Sequence, residues 1–215
     1  NLKDVVLKED LKVALERLNE LPEECIEHAI SELTKSRASL TPVIANKEVY
    51  NLIKNGVPVS YLNKEGREEN GYVKVLDFED ELNNDFLVVS QLCILYQNIG
   101  IEYDQPTRRP DLLLYVNGLP LVMIELKNAT EKVKGGYDTN LRRYKRDIPQ
   151  LFWYNMFVCI SNGIQTRVGS FNAPWEHFFS WVKLEDTAIS NTQKSREEVE
   201  KEAELKENRL SLKLF

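Results

Sequence analysis

Asp111, Glu125 and Lys127 are the residues of this chain whose types and spacing could do chemistry together. They interrupt two runs rich in Leu, Val, Ile and Tyr that flank Asn117-Gly118, a pair that predicts a tight turn between two antiparallel strands. Asp111 opens the first strand. Glu125 and Lys127 lie two apart near the end of the second and so point to one face. Carboxylates and an ammonium set into apolar strands cost several kcal/mol of lost hydration unless a cation or each other compensates them. A divalent metal is the natural compensation. Asp111 and Glu125 would supply carboxylate ligands, with the Leu126 carbonyl as an obvious third. Mg2+, which prefers six oxygens at ~2.0–2.1 Å, would fill its shell with waters and a phosphate oxygen. The chemistry such a group supports is phosphodiester hydrolysis, with Lys127 orienting or deprotonating the attacking water or stabilising the developing charge. Without metal, two carboxylates held this close repel, which raises the pKa of one.

Strand register decides whether the three can meet. A two-residue loop pairs Val116 with Leu119 and Asp111 with Ile124, which sends Glu125 to the opposite face of the sheet. A three-residue loop from Asn117 to Leu119, or a one-residue bulge, puts Asp111 across from Glu125. One of these is therefore expected.

The rest of the composition excludes more than it assigns. The 215 residues, 42% hydrophobic and 29% charged, suit one soluble globular core. No stretch of eighteen apolar residues or signal peptide is present, which predicts a cytoplasmic protein without membrane contact; the missing initiator Met suggests a trimmed chain or a piece of a longer one. Cys25, Cys93 and Cys159 are far apart and read as buried reduced thiols. His28 and His177 are isolated and lack metal-ligand spacing. A net charge of -6 argues against nucleic-acid binding by bulk electrostatics. Its distribution argues otherwise, because six basic residues lie between Lys132 and Arg146 against one acid, Asp138. Arg142, Arg143, Lys145 and Arg146 are the candidates for phosphate contact; a solvated helix face is the alternative.

The elements that must position the carboxylates read as follows. Apolar spacing predicts a helix over residues 1–21 and a second beginning at Pro22. Residues 36–70 are uninformative, with a short helix over 47–53 and a polar turn over 61–71. Strands are expected over 71–78, 86–95 and 155–160, and helices over 137–146 and 175–182, with a short turn from Pro149 to Trp153. The charged stretch 185–208 suits a solvated helix or linker. Helices before a mixed sheet, then helix and strand, give an α/β sandwich.

The phrase from Arg109 to Asn128, with Pro110-Asp111, Glu125, Leu126 and Lys127 inside it, resembles the PD-(D/E)xK nuclease signature. In its longer wording it resembles the N-terminal nuclease domain of the restriction (R, or HsdR) subunit of type I restriction-modification enzymes. Supporting phrases run over residues 143–152, 158–163 and 178–181. The resemblance implies a restriction-endonuclease-like α/β core with a mixed β-sheet flanked by helices, placed over residues 1–184. Residues 185–215 would then lead towards an ATP-driven motor whose phosphate loop this sequence lacks. It implies Mg2+-dependent cutting of double-stranded DNA, with Mn2+ as a substitute and ATP needed only by the full-length subunit. Methyltransferase and specificity subunits are the implied partners. It also implies a Gln-x-x-x-Tyr contact with DNA or the nuclease site, which falls on Asn140 and Tyr144, with Asn in place of Gln, rather than on Gln150 and Tyr154. A further N-terminal glutamate near the metal would be Glu27 in preference to Glu24. Two other readings are a free-standing nuclease of the same superfamily and a catalytically silent scaffold.

Overall fold

The predicted hairpin forms, and the sheet is assembled around it. The computed structural model describes residues 4–96 and 107–181. In chain order the helices are α1 (Lys8–Leu18), α2 (Glu23–Thr34), α3 (Pro42–Asn55) and α4 (Arg142–Asp147). The strands are β1 (Val57–Leu62), β2 (Glu68–Val73), β3 (Phe86–Ser90), β4 (Ile94–Leu95), β5 (Thr107–Arg108), β6 (Leu112–Val116), β7 (Leu119–Leu126), β8 (Phe157–Ser161), β9 (Thr166–Gly169) and β10 (Phe179–Ser180). Six of them make one mixed sheet in the order β10-β9-β8-β7-β6-β3, flanked by helices, as an α/β reading requires.

β7 is the inner strand on which the rest depends. It pairs antiparallel with β6 and parallel with β8, so both its edges are paired, and its first five residues are all buried, so both its faces are covered there. That explains a continuous apolar run in place of alternation. The turn has two residues, with Val116 opposite Leu119, and the register then slips by one between Leu114 and Tyr115. Tyr115 faces Pro120 while Leu114 faces Val122, so Leu121 is the extra residue of a β-bulge. Beyond it Leu112 faces Ile124, and the next step brings Asp111 opposite Glu125. The bulge, one of the two devices expected, restores the face that a plain two-residue turn would have lost.

The hairpin is pinned at its tip. Asn117 and Gly118 both adopt positive φ, 49° and 76°. The Gly118 carbonyl accepts from Leu7 N at 2.9 Å, and a Cβ on Gly118 would stand 2.5 Å from the Leu7 carbonyl oxygen. The start of α1 therefore lies against the turn, at the end of the hairpin away from the carboxylates.

Several expectations are corrected. α1 begins at Lys8, although Val5 and Val6 ahead of it are buried. α3 is a full helix of 14 residues where only a short one was expected, because Thr41-Pro42 is a helix start. The Thr41 hydroxyl accepts from Ile44 N, and Asn46 of α3 donates to the Phe152, Trp153 and Asn155 carbonyls. The supposed polar turn over 61–71 is most of the β1–β2 hairpin, and β2 ends at Val73. The strand expected over 86–95 breaks at Gln91, whose φ is 50°, and resumes as β4 paired with β5. The aromatic-rich helix over 175–182 is a single 3-10 turn, Trp175–His177, followed by β10: its rings pack on Tyr137 and on one another. Cys25 is buried, whereas Cys93 and Cys159 are half-buried; all three are free. The charged stretch 185–208 lies outside the described residues. No helix among the described residues is long and apolar enough to cross a membrane.

Candidate active site

Glu125 is the most deeply placed of the three candidate charges, 1% exposed at the end of β7. A carboxylate there needs donors, and it has three. Lys127 Nζ reaches Oε1 at 3.0 Å, the Asn140 side-chain amide donates to the same oxygen, and the Tyr144 hydroxyl lies 3.1 Å from Oε2. Burial pushes the Glu125 carboxyl above its ordinary value; the Lys127 hydrogen bond opposes this and the charge of Asp111 adds to it. Asp111 stands at the foot of β6. Its Oδ2 accepts from Leu126 N at 2.7 Å, and its carbonyl accepts from Gln91 N. The side chains of Asp111, Glu125 and Lys127 thus share one face, fixed by backbone on both sides.

Asn140 and Tyr144 are four apart on one helical face, so one element delivers both. The element is unusual: Gly136–Leu141 is π-helical and passes directly into α4. Its first residue lies almost on the strand. A Cβ at Gly136 would sit 2.7 Å from Ile160 Cγ2, 3.3 Å from Lys127 Cε and 3.4 Å from Glu125 Cγ. That close approach lets an Asn, one methylene shorter than Gln, reach the carboxylate. Gly136→Ala must therefore displace the helix or Ile160, and should lower the unfolding free energy by roughly 1–3 kcal/mol. Urea denaturation measures this, and an unchanged midpoint would contradict the close contact. Burial, then the charge of Glu125, raises the Tyr144 phenol far above its usual range, so it remains a donor. Gln150 and Tyr154 go elsewhere, to the Leu95 and Leu33 carbonyls in the core.

The remaining candidates separate. Glu27 is exposed on α2 and lies 4.0 Å from Lys12 of α1, near the turn end of the hairpin and not beside Glu125. Among the described residues no group of three or more His, Cys, Asp or Glu could hold a metal. Asp111, Glu125 and the Leu126 carbonyl would together make a hard, all-oxygen donor set. That set suits Mg2+ or Mn2+, with water completing the shell. Lys145 is half-buried and donates to the Phe171 carbonyl; burial lowers its ammonium pKa. Arg146 pairs with Asp147, and Arg142 with Asp138 at 3.5 Å. Arg143 lines a cleft beside Asn140 and Tyr144.

The model of one family, the type I restriction enzyme R protein N terminus, matches residues 1–177. The chain belongs to that family. It is 35% identical over 189 residues to the type I restriction enzyme HindI endonuclease subunit of Haemophilus influenzae, a match covering 86% of this chain and 17% of that protein. A relative in Methanocaldococcus jannaschii, which carries the name MjaIXP endonuclease subunit, is 32% identical over 65% of this chain and 13% of its own length. The Staphylococcus aureus SauMSSORF170P endonuclease subunit is 30% identical over 59% of this chain and 13% of its own length. The matches therefore cover less than a fifth of these relatives.

Within this R-protein N-terminal family member, two residues escape motif reading. Gly136 had a signal, the Gly135-Gly136 pair before the helix, but that pair reads as a chain break. Arg108 had only a compositional one, the basic pair Arg108-Arg109 ahead of the hairpin: its guanidinium binds Asp147 at 2.6 Å and lies 4.8 Å over the Tyr96 ring, tying β5 to α4.

Proposed function

We propose that this chain is the endonuclease domain of a type I restriction enzyme R subunit and hydrolyses phosphodiester bonds of double-stranded DNA with Mg2+. The observation that carries the reading is the Leu121 bulge, which brings Asp111 opposite Glu125 and leaves Lys127 on the same face. The relatives' names as endonuclease subunits support it.

In this reading Asp111, Glu125 and the Leu126 carbonyl hold the metal. When bound, the metal lowers the pKa of its water and takes up part of the charge on the phosphate. Asn140 and Tyr144 fix the Glu125 carboxylate so that it meets the metal without reorganising. Lys127 moves its Nζ from Glu125 to the attacking water or to a non-bridging phosphate oxygen, where negative charge accumulates. The water oxygen bonds to phosphorus as it gives up a proton to bulk water, the bond from phosphorus to the leaving oxygen breaks, and that oxygen takes up a proton from bulk water. Methyltransferase and specificity subunits supply the DNA address, and ATP serves the remainder of the subunit.

Two measurements test this together. Mg2+ or Mn2+ should raise the melting temperature of the chain, and Asp111→Asn should remove the response. The subunit carrying this domain, assembled with its partners, should cut plasmid DNA only in the absence of chelator. Cutting that persists in chelator, or an Asp111→Asn protein that still cuts, refutes the metal mechanism.

A further inference from the structure

Most basic side chains near the Asp111–Glu125 face are already engaged. Arg108 is held by Asp147, Arg142 by Asp138, Arg146 by Asp147 and Lys145 by the Phe171 carbonyl. Arg109 and Arg143 remain. Neither guanidinium has an ion pair or hydrogen bond among the described residues, and both are exposed. Both line one cleft of about 450 Å³, together with Cys93, Thr107, Arg108, Asn140 and Tyr144. No acid is among these lining residues, so none of the described residues of the cleft neutralises the two guanidinium groups.

The cleft is joined to the carboxylates through its own wall. Asn140 and Tyr144 face it and also bind Glu125, and the Tyr144 hydroxyl lies 3.3 Å from the Arg109 carbonyl. Two like charges across a polar cleft repel, and an anion between them reverses the sign of that energy. Guanidinium is the group best shaped for a phosphate, since its donors form a fork that matches two oxygens. The wall shared with Glu125 makes a strand phosphate the fitting anion: a strand whose reacting phosphate lies at Asp111 and Glu125 must carry its neighbouring phosphates past this wall.

We propose that this cleft binds a backbone phosphate of the nucleic-acid strand adjacent to the one that reacts, clamped by Arg109 and Arg143. The inference rests on the nuclease reading above. It adds Arg109 to the binding residues and assigns the basic contact to Arg143 rather than to Arg142, Lys145 and Arg146. The contact is with the backbone, so it positions the strand and carries no sequence preference.

The test is equilibrium binding of a short blunt DNA duplex to the 215-residue chain in chelator, as a function of salt. Arg109→Gln and Arg143→Gln should each flatten the plot of log affinity against log salt by about one unit, and the double variant by about two. Arg67→Gln, at the tip of the β1–β2 hairpin, removes an exposed charge far from the cleft and should leave the slope unchanged. Slopes of the double variant and Arg67→Gln that coincide overturn the proposal, as does a native chain that binds no duplex. The run needs no metal, so the outcomes separate. Binding through both arginines with no cutting refutes the nuclease reading alone; cutting with a slope indifferent to both arginines refutes the clamp alone.

Discussion

Replacing Glu125 with glutamine should abolish cleavage while leaving the metal-free protein as stable as the native one or more so. Gln keeps an acceptor for Lys127 and Asn140, and its amide can donate to the Tyr144 hydroxyl, so the local hydrogen bonds survive. What is lost is the charge that binds metal. A bound metal supplies several kcal/mol of transition-state stabilisation, and at about 1.36 kcal/mol per decade a loss of ~4 kcal/mol is roughly 10³-fold in rate. Stability moves the other way. The folded-state pKa of Glu125 is raised above its ordinary 4.5, chiefly by burial, so folding favours the protonated form. Its contribution to stability is fully present below the unfolded value and is lost as pH rises through the folded one. In chelator, Glu125→Gln should therefore melt at or above the native temperature at neutral pH, and the gap should close as pH falls towards 4.5. Added Mg2+ should raise the melting temperature of the native chain alone. A variant that still responds to Mg2+, or that unfolds in chelator at neutral pH, would show that the carboxylate serves the fold rather than the chemistry.

The carboxylate pair was legible in the sequence because its cost was legible. Three charged residues in strands this apolar require a reason, and Asn117-Gly118 makes the strands antiparallel. The bulge could be demanded but not placed: nothing in the sequence marks Leu121, since a bulged residue inside a buried strand is selected like its neighbours. Helices were read where apolar spacing was clean, in α1 and α2. α3 was read short because its capping signal, Thr41-Pro42, sits in a polar stretch. The aromatic residues near 175–181 mislead for the opposite reason. Their packing is tertiary, ring on ring against Tyr137, and carries no local period.

The basic residues show where composition stops. Four positive charges within five residues suggest a single phosphate-binding face, but a helix spreads them around its axis. Lys145 turns inward to Phe171 and Arg146 to Asp147, so of the four only Arg143 lines the cleft beside Asn140 and Tyr144. Arg109 comes to the same cleft from the other side of the sequence, eighteen positions before Lys127, by the chain reversal at Asn117-Gly118.

That reversal carries the largest stability effect expected here. Asn117 is fully buried at the turn, and the side chain that makes it a turn residue also joins three segments. Its amide donates to the Val75 carbonyl at 3.0 Å and to Asn84 Oδ1 at 2.9 Å, while its Oδ1 accepts from Asp85 N at 2.8 Å. Asn117→Ala strands a buried carbonyl and a backbone N–H, each at about 1–3 kcal/mol, and puts a Cβ-bearing residue without compensating bonds at a φ of 49°. The left-handed conformation adds about 1–2 kcal/mol for alanine, so a total loss of roughly 3–8 kcal/mol is expected by urea denaturation. Asn117→Gly should recover the backbone share and none of the hydrogen bonds, which separates the two causes. The consequence reaches the far end of the hairpin. Register is set by the turn and the bulge together, and a slip of one residue turns Glu125 to the opposite face. An Asn117→Ala chain that folds in native register should still bind Mg2+. One that folds without binding it would have slipped, and hydrogen exchange of Leu126 N, which Asp111 holds in native register, would report which has occurred.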